Sequence, residues 1–242
     1  MHTDFDELVA HPGVGRSFER TVLPGLGDAA PGGRVRLDAL ARWLQDVAHA
    51  DVRDAGLVDG AAWVVRRARM LVHRFPRFDE PATLHTFCSG LGRMWAQRRT
   101  TVTTPQGAHV EAVALWVHLD PASGRPMPLT QSELALYAPS AAGREIKARL
   151  RHPGPPATAE RTAWRFRAAE LDLAGHINNA AYWVALEEEL LGGRCEPDRL
   201  DVELEFRTPA QPGEFSVLRD GPYRWIVAPG GGVHASVVIR RP

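Results

Sequence analysis

Cysteine is nearly absent: Cys88 and Cys195 are the only two in 242 residues. They are too few and too far apart for a disulfide framework or a zinc site. Lysine is almost missing too, with Lys147 alone among 29 basic residues, a skew that reads as a GC-rich coding habit. Net charge is also absent, because 29 Lys+Arg balance 29 Asp+Glu. That balance excludes a protein whose overall field attracts nucleic acid. No apolar run approaches the roughly 20 residues that span a bilayer. The amino terminus, from Met1 to Glu7, is acidic and holds no apolar signal core. Nor is there a G-x-S-x-G elbow, a Walker loop or an H-E-x-x-H pair. These absences point to a soluble, cytoplasmic globular protein of one large or two small domains. The 44% of hydrophobic residues can build its core.

The residues present fall into two similar passages. In the first, a strand near Phe18 to Val22 leads through a Gly/Pro-rich turn into a helix from about Asp38 to Ala55. Leu37, Leu40, Leu44 and Val47 recur there at helical spacing; Asp38 is expected to accept first-turn amides and Gly56 to close the helix. Strand-like runs follow at Trp63 to Arg74, Pro81 to Ser89, Arg93 to Thr104 and His109 to His118, with Pro105-Gln106-Gly107 as a hairpin turn. The second passage repeats the order. A strand at Thr162 to Ala168 and a Gly-containing turn precede a helix from about Asn179 to Leu191. Strands near Val202 to Phe206, Phe215 to Leu218, Arg224 to Ala228 and Val233 to Arg240 come next.

Between the passages lies a Pro-rich linker in which Arg144 to Leu150 is expected to form a short helix. The division expected is 1–138, a linker over 139–160, and 161–242. Strand, turn, long helix and then antiparallel strands, given twice, is an α+β pattern. One physical solution wraps a curved antiparallel sheet around each helix and joins both halves edge to edge into one sheet.

Three signals fall to simpler explanations. Gly25-Leu26-Gly27-Asp28-Ala29-Ala30 matches the dinucleotide fingerprint, but Pro31-Gly32-Gly33 follows where that motif needs a helix. The arginines of Trp63 to Arg69 read as the solvent face of a strand. Cys88 sits among strand residues, with no nearby basic group in sequence to activate it.

One segment concentrates polar groups where a turn feeds a helix: Asp172-Leu173-Ala174-Gly175-His176-Ile177-Asn178-Asn179. Asn178 or Asn179 can cap the helix and leave its first amides facing the preceding loop. Gly175 allows positive φ or close approach of a substrate. A carboxylate, an imidazole and free amides together suit acyl transfer. The same spacing also suits a purely structural turn in which Asp172 and the asparagines satisfy backbone donors.

The stretch from Glu170 to Asn179, with Tyr182 after it, resembles the second half of acyl-acyl-carrier-protein thioesterases, the plant-type double hotdog family with bacterial relatives. In the first half, Phe87 to Arg99 is similar to the W-C-x-x-x-G-R-x-x-x-x-R-R strand pair of that family, and Arg74 to Pro81 to its Y-P-x-W-G-D segment. The resemblance implies a double hotdog: two helices, each wrapped by an antiparallel sheet. It further implies hydrolysis of acyl thioesters, with Asp172, His176 and Asn178 catalytic. Gly175, Asn179, Tyr182, Trp183, Trp43 and Leu44 would hold substrate. Arg93, Arg98 and Arg99 would meet an acidic carrier protein. The phosphopantetheine arm or CoA brings the thioester, so no cofactor or metal belongs to the chain; a homodimer stays open.

Two departures stand out. Ala174 occupies the family's Asn position, and Thr208-Pro209-Ala210 carries no carboxylate where the family has a Glu. Glu203 and Glu205 fall on one strand face, opposite Val202, Leu204 and Phe206, and receive no role. A hotdog dehydratase acting on a β-hydroxyacyl thioester, and a non-catalytic acyl- or carrier-binding protein, remain as alternatives.

Overall fold

A computed structural model describes residues 8–57, 62–193 and 196–240. Cys195 and the acidic segment Met1 to Glu7 lie outside them. Among the described residues one antiparallel sheet of ten strands runs in the order β1-β3-β4-β5-β2-β7-β10-β9-β8-β6. The strands are β1 (Ser17–Val22), β2 (Ala62–Arg74), β3 (Ala82–Leu91), β4 (Trp95–Thr103), β5 (His109–Leu119), β6 (Glu160–Phe166), β7 (Leu200–Phe206), β8 (Gly213–Asp220), β9 (Tyr223–Val227) and β10 (Val233–Arg240). Helices α1 (Leu37–Asp54) and α3 (Ala181–Leu191) pack together on one face of the sheet; α2 (Gln131–Ala141) packs on β3. This is the double hotdog. The halves join where β2 pairs with β7, Ala68 opposite Leu204 and Met70 opposite Val202. No helix among the described residues is long and apolar enough to cross a membrane.

Alternation along the joining strands sorts their side chains. Met70, Val72, Val202 and Leu204 enter the core with Leu37, Leu40, Trp43 and Val47 of α1 and Tyr182, Trp183 and Leu186 of α3. The opposite set is polar yet equally buried. Arg67 and Arg69, expected on a solvent face, are 3% and 2% exposed. Arg69 makes two hydrogen bonds to Asp201, at 2.9 and 2.6 Å. Arg67 lies 3.9 Å from Glu203. A buried charge persists only when paired, and strand pairing sets each arginine beside an acid.

The linker covers this face. It forms no helix over 144–150. Ile146 and Arg144 bond to Leu91, and Trp95 Nε1 donates to the Ile146 carbonyl at 2.8 Å. A side chain at Gly90 would sit 2.6 Å from Ile146, so glycine permits the approach. Farther along, the Arg151 and His152 amides donate to Glu205, while the His152 ring meets Glu203 Oε1 and Ser236 Oγ, each at 3.1 Å. Trp225 Nε1 then binds the Pro153 carbonyl at 2.8 Å.

Burial alone would raise the pKa of Glu203. The His152 hydrogen bond and the charges of Arg67 and Arg240 outweigh it and hold the carboxyl at about 2. A depressed folded-state pKa contributes stability that is whole above the ordinary value of 4.5 and is lost as pH falls towards about 2. Between pH 6 and 2 the melting temperature of the wild type should therefore fall more steeply than that of Glu203→Gln. Parallel curves would show that this carboxylate is not linked to folding.

Sequence signals at the helix ends were redistributed. The first residue before α1 is Arg36, and Asp38 caps nothing; it pairs with Arg36 and Arg42. The Leu37 amide instead donates to Glu187 Oε2 at 3.0 Å, across from α3. Helix α2 begins at the Thr130/Glu133 capping box and carries Pro139 within it, so the expected linker opens inside a helix.

Candidate active site

After β6 the chain makes a 3-10 turn at Ala168–Glu170 and then a tight reversal. The Asp172 amide donates to the His176 carbonyl at 2.9 Å, and the Gly175 amide to the Asp172 carbonyl at 3.0 Å. Gly175 closes the reversal with φ +72°, a conformation in which other residues are strained. Its carbonyl accepts the Gln211 side-chain amide at 2.9 Å. Asp172 is half-buried and its Oδ1 accepts the Ala174 amide at 2.9 Å. The His176 ring is exposed and has no hydrogen-bond partner among the described residues.

Of the two asparagines that could cap the helix, Asn178 is the one that bonds its first turn. Asn178 Oδ1 accepts the Ala180 amide at 2.9 Å, and the Asn178 carbonyl accepts the Ala181 amide at 2.9 Å, so Asn178 shapes the first turn of α3. Asn179 caps nothing and lines a cavity with Trp183. Asn178 Oδ1 also accepts the Gln45 side-chain amide of α1 at 3.2 Å. Tyr182 is buried, its hydroxyl oxygen accepting the Ala210 amide at 3.0 Å. Burial pushes its phenol up to about 12, against the Ala210 amide and with the charge of Asp172 adding to the rise. It is therefore neutral at physiological pH and serves as a fixed prop under the turn.

Between α1 and the inner face of β2 to β5 lie two cavities. The smaller, 30 Å³, is lined by apolar groups including Leu44, Met70, Trp183 and Phe206. The larger, 200 Å³, runs past Trp63, Leu129 and Tyr137. Gln45, Arg98 and Trp116 line both, so these side chains stand where the two meet. Asp172, Gly175 and His176 line neither. They sit on the turn above, connected to the cavities through Asn178 and Gln45.

Other expected site residues are placed differently. Trp43 is buried in the core and lines neither cavity. Arg98 and Arg99 are buried and ion-paired, so no carrier protein can reach them: Arg98 binds Asp51 at 2.7 Å on the inner face, and Arg99 binds Glu111. Strand alternation sends these neighbours to opposite faces, both of them covered. Arg93 alone of the three is exposed. Burial pushes the Cys88 thiol up, away from nucleophilic use. Among the described residues, His152, Glu203 and Glu205 have metal-ligand spacing. Arg67, Arg207 and Arg240 already neutralise those carboxylates, leaving little charge for a cation.

Sequence reading missed Gln45. It follows Leu44 on the flank of the apolar stripe, and nothing local marks it as facing a loop more than a hundred residues away.

Comparison with known proteins gives three findings. The family model described as acyl-ACP thioesterase N-terminal domain matches residues 16–137. An uncharacterized protein of Mycobacterium tuberculosis is 26% identical over 253 residues, spanning 100% of both chains. Among solved structures, an acyl-ACP thioesterase from Bacteroides thetaiotaomicron superposes with TM-score 0.78 at 16% identity, covering 92% of this chain and 96% of its own. The 12:0-ACP thioesterase from Umbellularia californica gives TM-score 0.71 at 19% identity, covering 93% and 97%. At such identities the superpositions establish the shared double hotdog fold.

Proposed function

The chain belongs to the acyl-ACP thioesterase family and is a thioester hydrolase; from that premise we propose that the Asp172–Asn179 turn is its catalytic centre. The observation that carries this reading is the Gln45–Asn178 hydrogen bond. It ties the turn holding Asp172 and His176 to the cavities where an acyl chain would lie.

The thioester carbonyl would rest beside Asn178 and Gln45, with the chain passing Leu44, Asn179 and Trp183. Asp172 has one carboxylate oxygen held by the Ala174 amide and the other without a protein donor among the described residues. That second oxygen can take a proton from water or attack the carbonyl. His176, exposed on the same turn, would position the water or polarise the carbonyl. As the tetrahedral intermediate collapses, the C–S bond breaks and the pantetheine thiol leaves with a proton. Arg93 is the surviving candidate for contact with an acidic carrier protein, while Arg98 and Arg99 act inside the fold.

A panel of acyl-carrier-protein and acyl-CoA substrates with a free-thiol readout tests the reading. Thiol release with formation of the free carboxylic acid is expected, and carrier-protein turnover should weaken with salt if surface charge guides docking. Loss of water from a β-hydroxyacyl substrate with the thioester intact would make it a dehydratase instead. Binding without any release would make it an acyl-binding protein.

A further inference from the structure

The two halves repeat the active-site turn bond for bond. Ala30 occupies the place of Asp172, Gly33 of Gly175, Arg34 of His176, and Arg36 of Asn178, at one constant offset along the chain. The Ala30 amide donates to the Arg34 carbonyl at 2.8 Å, the Gly33 amide to Ala30 at 2.8 Å, and the Arg36 amide to Asp28 at 2.8 Å. The matching bonds in the second half are Asp172 to His176, Gly175 to Asp172 and Asn178 to Glu170, at 2.9, 3.0 and 2.8 Å. Gly33 and Gly175 both have positive φ, +84° and +72°.

The same offset pairs Gln45 of α1 with Glu187 of α3. Each reaches across to the turn of the other half. Glu187 accepts the Leu37 amide at 3.0 Å and Arg34 Nη2 at 2.6 Å, so its carboxylate fills the first turn with an ion pair. Gln45 holds the equivalent position at the second turn, but it is neutral and leaves cavity space beside it.

Its orientation is fixed by its partner. Asn178 Oδ1 already accepts the Ala180 amide, so the Gln45 group facing it must be the NH₂. One N–H of that group is spent on Asn178, and the second has no protein acceptor among the described residues. Ala174, meanwhile, offers no side-chain donor.

We propose that Gln45, supplied by the first half, donates its second amide N–H to the thioester carbonyl oxygen and to the oxyanion formed when that carbonyl is attacked. The inference rests on the catalytic reading of the Asp172–Asn179 turn. The amide transfers no proton; it holds the oxygen while the C–S bond breaks, taking the role that Ala174 cannot. The active centre is then built from both halves of the chain.

Two measurements test this. In steady-state hydrolysis, Gln45→Ala and Gln45→Glu should each lower kcat by about 10²-fold, the usual effect of losing one oxyanion donor, with KM changed far less. Melting temperatures near wild type would confirm that both variants fold. Independently of turnover, the protein can be loaded with an acyl-pantetheine analogue in which CH₂ replaces sulfur, ¹³C-labelled at the resulting ketone. Its carbonyl stretch should lie at lower frequency in the wild type than in Gln45→Ala. An unchanged frequency, failure of the analogue to bind, or wild-type kcat in both variants overturns the assignment. A frequency difference in a protein that releases no thiol would uphold the Gln45 contact and overturn hydrolysis instead.

Discussion

Asparagine at position 172 should lower kcat for acyl-thioester hydrolysis by about 10²–10⁴-fold, the range that a positioned acid–base group contributes. The change keeps the size of the side chain and its Oδ1, which accepts the Ala174 amide at 2.9 Å. The turn should therefore survive, and only the basic or nucleophilic oxygen is lost. Alanine at His176 should give a loss of similar order without unfolding, because the ring is exposed and holds no other group among the described residues. If both residues act on one water, the double variant should be little slower than either single one. Single-turnover reaction in ¹⁸O-water separates the two roles of Asp172, since a nucleophilic carboxylate takes up label and a general base does not. Wild-type rates in both single variants would remove this turn from the mechanism.

The strands were legible because their alternation is clean, and the joining of the halves followed from needing an edge partner for each sheet. The catalytic turn was legible as residue types in order. What surrounds it was not. Periodicity placed Arg67 and Arg69 on one face of β2 but could not show that 144–159 would cover that face and bring His152 with it. Arg98 and Arg99 looked like surface charges for the same reason: their acids, Asp51 and Glu111, lie on other elements. Helix α2 had a readable signal in Thr130-Gln131-Ser132-Glu133, a capping box, obscured by Pro139 within the helix. Asp38 resembled a cap, yet the first amide of α1 found its acceptor in Glu187, 150 residues away. Local chemistry gave the elements and the motif; the groups that finish the site come from the opposite half.

The second large effect is expected on stability, at the repeated turn that Arg34 and Glu187 close. Glu187 is 2% exposed and Arg34 3%. The pair makes two hydrogen bonds, at 3.2 and 2.6 Å, and Glu187 also holds the Leu37 amide. Glu187→Ala leaves a buried guanidinium and an orphaned helix amide, a change that commonly costs about 3–5 kcal/mol. Arg34 keeps Glu196 at 2.7 Å, a partly exposed partner, which sets the expectation at the lower end. At roughly 2–4 °C per kcal/mol for a chain of this size, the melting temperature should drop by about 10 °C. Replacing both partners, as Arg34→Met with Glu187→Leu, should recover part of that loss, because it removes the stranded charge while the Leu37 amide stays without its acceptor. Turnover per folded molecule should hold in the double variant, since neither residue lines the two joined cavities or touches the Asp172 turn. A double variant as unstable as Glu187→Ala would instead show that the stranded charge is not the source of the loss.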